Sequence, residues 1–136
     1  MPNIMRMEVS VVLVEQNKRF LVLKRPAGAH LAGLWEFPGG KKKPEESWDQ
    51  CAHRELFEET GLTASELSEI RTIVHPYADR TVEIRFYYTG HARGNLTTDH
   101  EYAWLFPAEM HPEEFPEANS EIIKWLRRTT VARRNS

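Results

Sequence analysis

The sequence predicts an α/β (α+β) fold in which two helices pack on a mixed sheet. Three observations carry this expectation. Short apolar runs, β-branched or alternating, recur along the chain at residues 9–14, 20–23 and 81–89. Two amphipathic helical patterns, over 47–60 and 119–128, lie among them. No repeat, low-complexity block or Pro/Gly/Ser linker interrupts the 136 residues, so a single domain over 1–136 is expected.

Taken in order, Val9-Ser10-Val11-Val12-Leu13-Val14 is β-branched and apolar, which suits a buried strand. Residues 15–19 are a polar turn, and Phe20-Leu21-Val22-Leu23 is the returning strand. Pro26, Gly28 and Gly33 mark 26–33 as a loop, and 34–37 is a short strand ended by Pro38-Gly39-Gly40. The helix over 47–60 has Ser47 as its N-cap and Gly61 as its stop. Strands follow at 67–74, at 81–89 (Val82, Ile84, Phe86 and Tyr88 alternate) and at 102–106. The last helix shows Ile122, Ile123, Trp125 and Leu126, and 129–136 reads as a frayed basic tail.

Composition narrows the function. With 40% hydrophobic and 28% charged residues and a mean hydropathy of −0.57, the chain is expected to fold and stay soluble. Its 18 Lys and Arg against 20 Asp and Glu give a net charge of −2, which argues against a nucleic-acid polymer as partner. A local site for one small anion remains open. Cys51 is the single cysteine, so no intrachain disulfide forms and a cytoplasmic setting is expected. No basic leader with an apolar segment and no lipidation site appears, and the 9–14 run is too short to span a bilayer.

The chemistry concentrates in residues 39–62. On a helical wheel Trp48, Ala52 and Leu56 form the core-facing stripe. Glu55 and Glu58 lie beside it, and Glu59 falls inside it. A carboxylate aimed at a core is costly unless paired or bound to a cation. Glu55, Glu58 and Glu59 also repel one another within one turn, and Arg54, four residues before Glu58, balances only part of their charge. A solvated acidic face and a cation-binding set are both consistent with the three carboxylates. The position of Glu59 favours the cation, and all-oxygen ligands favour Mg²⁺ or Mn²⁺. Just upstream, Gly39-Gly40 permits close backbone approach and Lys41-Lys42-Lys43 supplies positive charge, as a phosphate site requires. The same residues also suit a plain glycine turn followed by a solvated lysine run.

Gly40, five residues, Glu46, seven residues and then Arg54-Glu55-Leu56-Phe57-Glu58-Glu59-Thr60-Gly61-Leu62 resemble the Nudix box, with every fixed position filled. The resemblance implies an α/β/α sandwich with a mixed central sheet and divalent-cation-dependent hydrolysis of nucleoside diphosphates linked to another moiety. It implies that Glu55, Glu58, Glu59 and the Gly39 carbonyl hold Mg²⁺, with Mn²⁺ able to substitute. Arg54 would orient the carboxylates and Glu46 would support the helix start. Glu55 is the first choice for the base that deprotonates water, with Glu101 as a further ligand or base.

Residues 24–30 and 34–41 resemble the MutT branch of that family, as does Phe115-Pro116-Glu117-Ala118-Asn119. By that likeness Arg25, His30, Phe37, Lys41, Arg80 and Asn119 would surround the nucleotide, with Asn119 reading a purine edge. Asn119 also suits an N-cap, and Phe37 also suits a core. Trp35, Trp104 and Trp125 are expected in the core. The implied activity is an Mg²⁺-dependent nucleoside triphosphate pyrophosphohydrolase acting on 8-oxo-dGTP or dGTP, as a monomer or homodimer with a small nucleotide as its partner. Residues 32–37 also resemble relatives that prefer cytidine triphosphates, so CTP or dCTP remains an alternative, as does a nucleotide sugar or dinucleotide. Loss of the carboxylates would mark a non-enzymatic nucleotide-binding module, and here all are present.

Overall fold

The structure, a computed structural model, describes residues 5–29 and 31–134, with side chains described through 129. Within these residues the architecture is mixed α/β, as expected, with seven strands and two α-helices. The chain forms two compact units, one from Met1–Glu15 and Phe37–Asp99, the other from Gln16–Glu36 and His100–Ser136.

The first unit holds strands β1 (Met5–Gln16), β4 (Gly39–Lys41), β5 (Ser68–Pro76) and β6 (Arg80–Thr89), and helix α1 (Trp48–Thr60). β1 runs parallel to β6 from Met5↔Arg80 to Val14↔Thr89, and antiparallel to β4 at Val9↔Lys41, Ser10↔Gly40 and Val11↔Gly39. β5 lies antiparallel to β6, with a bulge between Glu69 and Arg71. The sheet is therefore mixed. β1 extends four residues before the apolar run that announces it, because ladder pairing with β6 continues beyond the buried stretch.

Both ends of α1 carry the local chemistry that its sequence promises. Ser47 Oγ accepts from Gln50 N at 3.0 Å and Gln50 Oε1 accepts from Ser47 N at 2.8 Å, a reciprocal capping box. Gly61 stops the helix at φ +73° and donates its N–H to the Phe57 carbonyl. Cys51, Ala52, Leu56 and Thr60 form the buried face. Trp48 departs from the expected core stripe. It is half-buried, and the Arg85 guanidinium lies 4.1 Å above its ring, so its amphipathic indole packs under a cation.

β4 is a correction to the expected glycine turn. Gly39 and Gly40 pair with Val11 and Ser10 of β1 as a strand, and only a residue without a Cβ fits at either position. A Cβ on Gly39 would stand 2.4 Å from the Ser10 carbonyl oxygen, and one on Gly40 would stand 2.5 Å from the Glu55 carboxyl carbon.

In the second unit β2 (Arg19–Lys24) pairs antiparallel with β3 (Trp35–Glu36) and with β7 (Tyr102–Leu105). Three single 3₁₀ turns, Pro107–Glu109, Pro112–Glu114 and Glu117–Asn119, lead into α2 (Ser120–Arg134). Ile122, Ile123 and Leu126 are its buried face, with Met110 and Phe115 also buried in this unit. α2 continues through Arg134 and so takes in residues 129–134 of the expected tail, of which 135–136 lie outside the described residues. Asn119 closes the turn that runs into α2 and is buried. Trp35, Trp104 and Trp125, expected in the core, are only half-buried. No helix among the described residues is long and apolar enough to cross a membrane.

Candidate active site

In the first unit one guanidinium, that of Arg54, gathers three carboxylates. Glu46 lies in the loop before α1 and Arg54 on the second turn of the helix. Arg54 Nε donates to Glu46 Oε2 at 2.9 Å and Nη2 to Oε1 at 2.6 Å, a bidentate fork. The Lys43 amide adds a bond to Glu46 Oε1 at 2.9 Å. Arg54 Nη1 donates to Glu55 Oε1 at 2.8 Å and to Glu58 Oε2 at 3.1 Å, and Nη2 to the Lys41 carbonyl at 3.1 Å. One cation thus ties three carboxylates to β4.

The Glu46 side chain is only 10% exposed and that of Arg54 21%, so water screens the fork poorly. Hydrogen bonding from Arg54 outweighs the burial that would raise the Glu46 pKa, and with the Lys43 amide holds it at about 2. The same fork with Glu46 pushes the Arg54 pKa further above its already high value. A carboxyl with a depressed folded pKa contributes stability above its unfolded pKa and loses it as pH falls through the folded value. The Tm of the wild-type chain should therefore fall between about pH 4.5 and about pH 2 more steeply than that of Glu46→Gln. Parallel Tm curves for the two proteins across that range would remove Glu46 as the cause.

Glu59, placed by the wheel inside the apolar stripe, is half-buried, and its Oε1 accepts from the Gly39 amide at 3.0 Å. The backbone of β4 thereby satisfies one oxygen of a carboxylate that the helix alone would leave facing the core. Glu58 is the most open of the three, with its side chain 54% exposed.

The donor set of Glu55, Glu58, Glu59 and backbone carbonyls is hard oxygen throughout, which fits Mg²⁺ or Mn²⁺. Among the described residues, however, no three His, Cys, Asp or Glu side chains are arranged to hold an ion. In this structure Glu55 and Glu58 lean on Arg54, and Glu59 on Gly39.

Lys41 and Lys42 differ clearly. Lys41 is exposed at its side chain, and its carbonyl serves Arg54. Lys42 lies 3.8 Å from Glu8, donates to the Lys43 carbonyl, and keeps only 13% of its side chain exposed. Phe37 is buried at 3%, the core position that its sequence left open. Arg80 opens β6, with Nε 3.9 Å from Asp79 and its guanidinium 5.8 Å from the Tyr77 ring.

In the second unit Arg25 Nη1 donates to Glu36 Oε2 at 2.7 Å. Glu101 pairs with Lys24 at 3.2 Å, and the Lys24 amide donates to the Glu101 carbonyl at 2.8 Å. The Lys24 ammonium lies 4.9 Å from the Trp35 ring, and His100 Nδ1 is 3.1 Å from the Lys24 carbonyl. Asn119 belongs to this unit, and His30 lies outside the described residues. Lys24 and Glu36 were missed as partners of candidate residues. The Arg25–Glu36 pair follows from the β2–β3 register Leu23↔Glu36 and the Lys24–Glu101 pair from the β2–β7 register Leu23↔Tyr102, which no local pattern encodes.

A family model described as the NUDIX domain matches residues 9–125. An 8-oxo-dGTP diphosphatase of Escherichia coli strain K12 is 29% identical over 128 residues, covering 90% of this chain and 98% of that protein. A CTP pyrophosphohydrolase of the same organism is 30% identical over 115 residues, covering 85% of each chain. The solution structure of the E. coli ORF135 protein matches with a TM-score of 0.82 at 28% identity, covering 96% of this chain and 94% of that one.

Proposed function

This chain belongs to the NUDIX domain family and is a hydrolase of that family, and from that premise we propose that it is a divalent-cation-dependent nucleoside triphosphate pyrophosphohydrolase. Water attacks an inner phosphorus, one P–O–P bond breaks, and a nucleoside monophosphate and pyrophosphate leave. The preferred substrate is 8-oxo-dGTP or dGTP, free in the cytoplasm. The observation that carries this reading is the Arg54 clamp, which gathers Glu46, Glu55 and Glu58 at the edge of β4 while Gly39 engages Glu59.

In this reading Glu55, Glu58, Glu59 and the Gly39 carbonyl hold Mg²⁺, and Mn²⁺ substitutes. When bound there, such a cation would neutralise phosphate charge and lower the pKa of water. Arg54 orients the carboxylates and Glu46 anchors Arg54. Glu55 takes the proton from the attacking water, with Glu101 as the alternative base. Lys41, the exposed member of the lysine run, meets phosphate. Arg25, His30, Arg80 and Asn119 are the residues proposed to contact the nucleoside, and Phe37, buried at 3%, is left to the core. The amide of Asn119 can donate and accept together, as a purine edge requires.

Cytidine triphosphate is the second reading. It is favoured by the CTP pyrophosphohydrolase relative, whose identity of 30% equals that of the 8-oxo-dGTP diphosphatase within one per cent.

The test is a screen of the purified protein against canonical and oxidised nucleoside triphosphates, nucleotide sugars and dinucleotides with Mg²⁺, with products identified. A purine triphosphate should give the highest kcat/KM, with pyrophosphate released, and EDTA should abolish turnover. Preference for CTP or dCTP would move the assignment to the second reading. Full turnover in EDTA would remove the cation from the mechanism.

A further inference from the structure

Beneath the Arg54 clamp lies a buried polar pair that the proposed chemistry does not use. Ser10 on β1 and Cys51 on α1 are both fully buried. Ser10 Oγ donates to the Trp48 carbonyl at 2.9 Å, and its strand register places it opposite Gly40. Cys51 Sγ donates to the Gly40 carbonyl at 3.6 Å and accepts from Arg54 Nη2 at 3.8 Å. One thiol therefore touches both the strand that carries the two glycines and the guanidinium that holds the carboxylates. Beyond filling its buried volume, the sulfur makes two polar contacts that an alanine there could not make. Burial pushes the Cys51 thiol pKa up, so it stays a neutral donor.

Gly40 has a second neighbour. The Glu55 carboxylate lies so close that an added Cβ would stand 2.5–2.6 Å from its carbon and both oxygens. The Glu55 carboxylate thus occupies the space that a side chain at residue 40 would take, so its position is tied to that of β4. A shift of β4 away from α1 would pull the Lys41 carbonyl from Arg54. The offset between β4 and α1 thus decides where Arg54 and Glu55 point, and Ser10 and Cys51 bridge that offset from below.

We propose that Ser10 and Cys51 are positioning residues that lock β4 against α1 and so orient Arg54 and the Glu55 carboxylate. The inference rests on the proposed hydrolase reading for what that orientation serves, and it assigns the thiol no reaction of its own. Small misplacements of reacting groups are amplified in rate, so a displaced carboxylate costs turnover more than binding of the nucleotide.

The test uses the full chain as wild type, Cys51→Ala, Cys51→Ser and Ser10→Ala. Three readouts are taken: Tm without metal, Mn²⁺ affinity without nucleotide by electron paramagnetic resonance, and kcat with KM on the best substrate. Cys51→Ala should fold, lose about tenfold in kcat with KM within about twofold, and bind Mn²⁺ more weakly. Cys51→Ser, which keeps a donor, should recover most of both losses, and Ser10→Ala should lose less in the same direction. A folded Cys51→Ala with wild-type kcat and Mn²⁺ affinity would overturn the proposal. So would equal losses in the Ala and Ser variants, which would leave only the volume of sulfur as the cause. The Mn²⁺ comparison separates the two readings: if no nucleotide is hydrolysed, the hydrolase reading fails, and weaker Mn²⁺ binding by Cys51→Ala still supports the positioning role.

Discussion

Glu55→Gln should lower kcat by about a hundredfold to ten-thousandfold, the range over which a positioned general base acts. The substitution is close to isosteric. Its amide oxygen can still accept from Arg54 Nη1, which now reaches Glu55 at 2.8 Å, so the fold should be unchanged by circular dichroism. What disappears is the charge that takes the proton and helps hold the cation. Because a base acts in the transition state, KM should change far less than kcat. Single-turnover rates against wild type, at saturating Mg²⁺, read the chemical step directly. A kcat within about threefold of wild type, where a general base is worth far more, would place the base elsewhere. Glu101, held against Lys24 in the second unit, is then the residue to change.

Arg54→Met should produce the largest loss of stability, about 3 kcal/mol at neutral pH. The reason is the partner left behind. Glu46 would keep its burial and lose the fork that holds its carboxyl at about 2. Burial then favours its neutral form, so the variant should recover part of the deficit as pH falls, whereas the wild type loses stability over that range. Adding Glu46→Gln to Arg54→Met should restore part of the stability at neutral pH, because the unpaired buried charge is gone. Activity should stay low in the double variant, since Glu55 and Glu58 remain without their guanidinium. Urea unfolding at two pH values measures all of this. Arg54→Met with wild-type stability at neutral pH would show that the clamp does not support the fold.

The parts of the fold that were legible share a cause. α1 was expected over 47–60 and is observed as Trp48–Thr60, because Ser47, Gln50 and Gly61 act within a few residues of themselves. The strand expected at 81–89 and observed as Arg80–Thr89 was legible through its own alternation. β4 was not legible, since a Gly-Gly pair is a turn signal unless another strand crowds it, and the crowding atom belongs to Ser10, almost thirty residues earlier in the chain. Trp48 was misplaced because the wheel assigns a face and cannot know that Arg85 covers it.

The sequence by itself determined that Arg54, Glu55, Glu58 and Glu59 lie within two consecutive turns of a capped helix, because helical rise and period depend only on the chain's local geometry. It determined the donor chemistry for the same reason: carboxylate oxygens are hard ligands wherever they sit. Tertiary structure alone decided what each charge leans on. The fork from Arg54 to Glu46, the Gly39 amide on Glu59, the Glu55 carboxylate against Gly40 and the approach of Lys42 to Glu8 all join segments that no local pattern relates. Periodicity survives in a string of letters because it repeats over a few residues. A contact between a strand and a helix depends on register and offset, and these are set only when both pack against the same core.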